Sequence, residues 1–203
     1  KDGKLETGIS VQLNKNLIVN ADLKNYLNLS LLFSDDIIQK GYLSFGNSKK
    51  TELPRDNEIL VGGEIKYLSI DDWMAFFNNK KNDLDNNIPI KFNLLVDKIN
   101  LLKTDFNSVW LKFHNGGNSI EFDGPRINGI IGYKQDIEDK VIDANFKYLY
   151  LTLANDTEYK NEIAINDLPK INFITKELVL DNKKIGELKF RISPIETGYD
   201  ILG

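Results

Sequence analysis

Cysteine is absent from the 203-residue chain, which excludes disulfide frameworks, thiolate zinc sites and cysteine nucleophiles together. Histidine occurs once, at His114, so neither a two-histidine metal site nor a paired histidine relay can form. Proline is scarce at five residues, and the chain holds only two tryptophans and one methionine. An excess of one charge is missing as well. The 26 basic and 30 acidic side chains leave a formal charge of −4, and no basic run is longer than two. That balance argues against nucleic acid as the main partner. No window reaches the roughly 18 apolar residues of a membrane helix, and no signal peptide opens the chain at Lys1.

Composition points to a folded chain, with 41% hydrophobic and 28% charged residues, and the length suffices for one large domain. The 24 asparagines in lysine and isoleucine company suggest an AT-rich bacterial genome. The chain stops at Ile201-Leu202-Gly203 inside an apolar pattern, which predicts a fragment of a longer protein.

The dominant period is two. Leu27, Leu29, Leu31 and Phe33 alternate with Asn28 and Ser30, and Ile88, Ile90, Phe92, Leu94 and Val96 alternate with Lys91, Asn93 and Leu95. The pattern recurs at Val109, Leu111 and Phe113, at Leu149, Leu151 and Leu153, and at Leu188, Phe190 and Ile192. A period of two sends alternate side chains to opposite faces, so each segment predicts a strand with one apolar face. Turn signals such as Asp123-Gly124-Pro125 and Asp181-Asn182-Lys183-Lys184 separate the segments. Two helices are expected to interrupt them. Residues 69–79 carry a serine cap candidate, acids in the first turn and an apolar stripe at Ile70, Trp73, Met74 and Phe77. Residues 157–167 form a weaker candidate.

The sequence also repeats internally. Shifted by 79, Ile99, Leu101, Phe106, Val109, Leu111 and Phe113 fall on Leu178, Leu180, Ile185, Leu188, Phe190 and Ile192. The two copies span approximately 88–123 and 167–202. Residues 1–203 are therefore expected to form a single β-rich segment of a longer repeat array. The predicted fold is mainly β: an elongated, repeat-built antiparallel sheet with one or two short helices packed on it.

A search for chemistry finds little. No G-x-S-x-G, P-loop, H-E-x-x-H or dinucleotide fingerprint occurs. His114 reads as a solvent-facing strand residue beside Asn115-Gly116-Gly117-Asn118. The acidic pairs Asp35-Asp36, Asp71-Asp72 and Glu138-Asp139 are poor carboxylate dyads, because neighbours on a strand point to opposite faces and a helix N-terminus explains the second pair. No catalytic residue, metal ligand or cofactor is expected. Many strands and little covering material leave two outcomes. The sheet closes on itself, or part of its apolar face lines a groove for an apolar ligand.

Several segments resemble a known family. Gly62-Gly63-Glu64-Ile65 through Leu68-Ser69-Ile70-Asp71-Asp72-Trp73 is similar to the strand and "D-x-W" helix of the YhdP-type proteins of the AsmA-like superfamily. Val96-Asp97-Lys98-Ile99-Asn100-Leu101-Leu102 through Phe106, Trp110-Leu111 and Ile127-Asn128-Gly129-Ile130 resembles that group's recurring segment. So does Leu168-Pro169-Lys170-Ile171 through Lys184-Ile185-Gly186-Glu187-Leu188 to Gly198-Tyr199-Asp200-Ile201.

The resemblance implies a bacterial periplasmic protein, anchored to the inner membrane by a segment outside this chain. It adds the expectation that the sheet is curled, taco-like, with an apolar groove that conducts phospholipid between inner and outer membranes, without catalysis, in support of the outer-membrane barrier. Phospholipid acyl chains are the expected partner, with both membranes reached through other parts of the parent chain. The residues expected in the groove are Leu94, Ile99, Leu101, Val109, Leu111, Phe113, Leu149, Leu151, Leu153, Leu188, Phe190 and Ile192. The competing expectation is a closed β-domain that serves as a structural, adhesion or interaction module of the envelope, with these residues as ordinary core.

Overall fold

The structure is a computed structural model that describes residues 7–13, 16–24, 26–46, 52–69, 88–114, 119–135, 140–152, 169–195 and 198–203. Within them, 13 strands join into one open sheet whose spatial order follows the chain. They are β1 (Thr7–Leu13), β2 (Leu17–Leu23), β3 (Leu27–Ser34), β4 (Ile37–Phe45), β5 (Ile59–Ser69), β6 (Ile90–Leu101) and β7 (Thr104–His114). There follow β8 (Ser119–Gly124), β9 (Ile127–Gln135), β10 (Lys140–Leu151), β11 (Lys170–Leu180), β12 (Lys183–Ile195) and β13 (Gly198–Leu202). The protein is mainly β, as the alternation predicts, and its sheet is elongated and curled, as the resemblance implies. Both expected helices lie outside the described residues, apart from Ser69, which ends β5.

Most neighbouring strands are antiparallel, but β4 with β5, β5 with β6 and β10 with β11 run parallel. Local alternation carries no sign of strand direction, so the sequence could not distinguish these steps. A parallel neighbour cannot be reached by a tight turn and needs a long return connection. Residues 70–89 and 152–169 supply two of those connections.

Three hairpins close with two residues that both adopt positive φ, the hallmark of the type I′ turn that matches strand twist. They are Asp35-Asp36 (51° and 63°), Leu102-Lys103 (52° and 58°) and Asp181-Asn182 (48° and 65°). Asp35-Asp36 is thus a turn tip, which explains two adjacent acids without any catalytic role.

The apolar pattern changes phase once along each long strand. Buried side chains in β6 step by two as far as Val96 and then by three to Ile99. The same three-residue step separates Phe106 from Val109 in β7, Phe146 from Leu149 in β10 and Thr175 from Leu178 in β11. In β5 it separates Ile65 from Leu68, both packed on the core. Each step marks an irregularity that consumes one residue and bends the strand. Ser108 sits there at φ 54° and Gly186 at φ 100°, and the ladders shift between Phe146 and Tyr148 and between Thr175 and Leu178. The irregularities form a crease across the sheet, and they keep the apolar residues above and below it on one face.

Above the crease the curl closes. The hairpin of β8 and β9 is short, and its turn at Pro125-Arg126 lies level with the crease. Beyond that turn β7 meets the residue that follows β10, Thr104 to Thr152. The space they enclose is filled by Ile99, Phe106, Val109, Ile127 and Leu149, none with any exposed surface. Shifted by 79 residues, β6, β7 and β8 fall on β11, β12 and β13 to within two residues at every end.

Candidate functional site

Strand register assembles the apolar face into rows that run across the strands. One row begins at Ile9 in β1 and passes through Ala21, Leu29, Leu43, Val61 and Phe92, each the direct partner of the last. It continues through Phe113, Ile120, Ile131, Ala144 and Phe173 to Phe190 in β12. No polar residue interrupts it from β1 to β12. With neighbouring strands about 4.8 Å apart, this lane extends for roughly 50 Å along the sheet.

The lane lies below the crease, and most of it remains open. Ala21, Leu29, Leu43, Phe92, Ile120, Ile131, Phe173 and Phe190 are half-buried, whereas Val61, Phe113 and Ala144 are buried. Aromatic rungs stiffen two stretches. The rings of Phe92 and Phe113 are 4.7 Å apart between centroids, and those of Phe173 and Phe190 stack at 4.8 Å. Phe146, in the next row, lies 5.9 Å from Phe173. At Gly63, in that same row, a Cβ would stand 2.1 Å from the Phe45 carbonyl oxygen, so only glycine allows β4 and β5 to approach this closely at φ +102°.

The ion pairs lie on the other face. Lys98 pairs with Asp105 at 2.6 Å, Lys134 with Asp143 at 2.9 Å and Lys184 with Glu177 at 2.8 Å. Hydrogen bonds from Asn172 and then Lys134 hold the Asp143 carboxyl below the usual carboxylate range. Those from Lys184 and Tyr150 do the same for Glu177. Lys91 also pairs with Glu58. Such exposed pairs add solubility and little stability. Among the described residues no group of three or more potential ligands could hold a metal ion. Nor is any helix there long and apolar enough to cross a membrane.

The expected groove residues that are described lie on the apolar face, at two depths. Leu94, Ile99, Leu101, Val109, Leu111, Phe113 and Leu149 are buried, and Ile99, Val109, Leu111 and Leu149 have no exposed surface. Leu151 and Leu188 are half-buried against that core, and Phe190 and Ile192 are half-buried below the crease. Leu153, Asp71-Asp72 and Glu138-Asp139 lie outside the described residues, and His114 closes β7 with its side chain outside them. Leu43, Ile120, Ile131 and Phe173 were not among the expected residues, although they complete the lane. Their alternation is visible in sequence, but only register shows that they align.

A family model described as YhdP protein matches residues 1–202. No curated protein and no solved structure is similar enough to add a further comparison. With nearly the whole chain matched, and with a curled, strand-ordered sheet of the kind the resembling segments imply, the chain belongs to the YhdP family.

Proposed function

We propose that the lane holds and conducts the acyl chains of phospholipid, and that the protein is a non-enzymatic segment of a periplasmic lipid-transfer path between inner and outer membranes. The observation that carries this reading is the unbroken apolar row from Ile9 to Phe190, half-open to solvent and free of charge. Each CH₂ that leaves water contributes about 0.8 kcal/mol, so a chain lying along the lane is held firmly. A lane without polar anchors offers equivalent positions along its length, which lets a tail slide. Family membership supports the same reading, because YhdP-type proteins resemble envelope lipid-transport proteins, tethered to the inner membrane by segments outside this chain. The recurrence of three strands at an offset of 79 supports a place in a longer array.

Within this reading the fully enclosed residues at and beside the crease are scaffold. Ile99, Leu101, Val109, Leu111 and Leu149 set the curl, while Phe190, Ile192 and the lane residues face the ligand. The competing reading, a closed interaction module, draws on the fully buried residues and predicts no bound lipid. Organic extraction of the purified chain followed by mass spectrometry separates them. Near-stoichiometric phospholipid, absent from a control β-protein prepared alongside, is the expected result. A clean extract from a detergent-free preparation would favour the interaction module.

A further inference from the structure

The face opposite the lane carries a depression at the β1–β4 end that the lipid reading does not use. It encloses about 220 Å³, lined by Gly8, Ser10, Asn20, Asp22, Asn28 and Tyr42 and by the adjoining lane residues Ile9, Ala21 and Leu29. Tyr42 forms its floor. The residue is 97% buried, yet its phenol makes no hydrogen bond to any described residue, and burial and then the charge of Asp22 raise its pKa. Among the described residues no buried side-chain polar atom lacks a partner, so the unbonded Tyr42 hydroxyl is itself open to solvent and points into the depression.

The walls are already oriented. Ser30 donates to Asn20 Oδ1 at 2.6 Å, and Asn20 Nδ2 donates to Ser10 Oγ at 3.4 Å, which fixes the Asn20 amide. Gly8 leaves the opening clear, since a Cβ there would meet nothing within 4 Å.

The lining decides the ligand class. No lysine or arginine lines the depression, so a phosphate or carboxylate would find no countercharge. One carboxylate is too few oxygen ligands for a divalent cation. Two amides, a serine hydroxyl, a phenol and one carboxylate offer interleaved donors and acceptors. A sugar ring presents the same mixture, with vicinal hydroxyls that donate and accept at once. We infer that the Tyr42 depression is a saccharide-binding site, which takes a neutral hexose or N-acetylhexosamine unit of an envelope glycan.

Titration of the chain with a β-1,4-linked N-acetylglucosamine tetramer and with maltotetraose, followed by NMR and calorimetry, tests this. At least one neutral saccharide should bind and shift resonances of residues 8–10, 20–22, 28–30 and 42. Gly8→Val fills open space and Tyr42→Phe removes a hydroxyl that bonds no described residue, so both variants should melt like the parent. Each should bind the sugar about tenfold more weakly, the loss of one good hydrogen bond or more. The inference is overturned if neither saccharide binds, if Gly8→Val binds as tightly as the parent, or if glycerol 3-phosphate binds better than both sugars.

Discussion

The hydroxyl of Thr104 bridges both backbone groups of Thr152, donating to its carbonyl oxygen and accepting from its N–H, each at 3.2 Å. The two residues are 48 apart in sequence, and the hairpin of β8 and β9 lies between β7 and β10 in the sheet. The contact therefore records the curl itself, and it sits over the most enclosed part of the core. Arg126, at the tip of the bridged hairpin, adds longer contacts of 3.4 Å to the Tyr150 carbonyl and the Thr152 hydroxyl.

Thr104→Val keeps the shape of the side chain and leaves both Thr152 backbone groups without their partner. The expected cost is about 1–3 kcal/mol, a fall in melting temperature of roughly 3–10 °C for a chain of this size. Thr104→Ser should recover most of it. A valine variant that melts with the parent would mean the bridge does not hold the curl.

The crease makes a second expectation. Ser108 spends its positive φ on absorbing one residue, so Ser108→Gly should raise stability by about 0.5–1 kcal/mol in urea unfolding. Deleting Ser108 should instead rotate Thr104–Asn107 and turn Phe106 out of the core. That loss should equal or exceed the roughly 3–5 kcal/mol of emptying a buried phenylalanine site. A deletion variant with parental stability would contradict the phase-change account.

Turn chemistry yields a paired test. Leu102-Lys103 and Asp181-Asn182 occupy equivalent turns with both central residues left-handed, but only the second pair suits that backbone. Replacing Leu102-Lys103 by Asn-Gly should stabilise the protein by about 1–2 kcal/mol. Replacing Asp181-Asn182 by Leu-Lys should destabilise it by a similar amount. Chemical unfolding of both variants measures the two signs, and equal signs would refute the turn assignment.

Acid should weaken the fold through the charged face. The Asp105, Asp143 and Glu177 carboxyls are held below their usual range by hydrogen bonds from lysine and asparagine or tyrosine partners. The unfolded chain then binds more protons than the folded one as pH drops below about 4.5, so stability present at neutral pH is lost on acidification. Melts between pH 7 and pH 3 should show the decline, and Asp143→Asn with Glu177→Gln should flatten it. An unchanged slope in that double variant would place the acid sensitivity elsewhere.

Much of the fold was legible because β alternation is a local property. Leu27 to Phe33 and Val109 to Phe113 announce half-buried strands whatever surrounds them, and Asp181-Asn182 announces its turn. The parallel steps at β4–β5–β6 and β10–β11 were not legible, since strand direction leaves no mark on a period of two. The three-residue spacing of Val96 and Ile99, and of Phe106 and Val109, was present but reads as a break in pattern until the ladder shows a bend. The candidate site divides the same way. Alternation placed Leu111 and Phe190 on one face, but depth depends on the curl, which encloses the first and leaves the second half-open. The open phenol of Tyr42 had no sequence signal, because its surroundings come from four different strands.

The central claim is that acyl chains lie along the lane. A photoreactive benzoylphenylalanine placed at Phe92, at Phe173 and, on the opposite face, at exposed Ile130 tests it directly after irradiation in bacterial envelopes. The account predicts phospholipid adducts, read by mass spectrometry of the purified chain, at positions 92 and 173 and none at 130. Adducts absent from both lane positions, or equally abundant at 130, would contradict it.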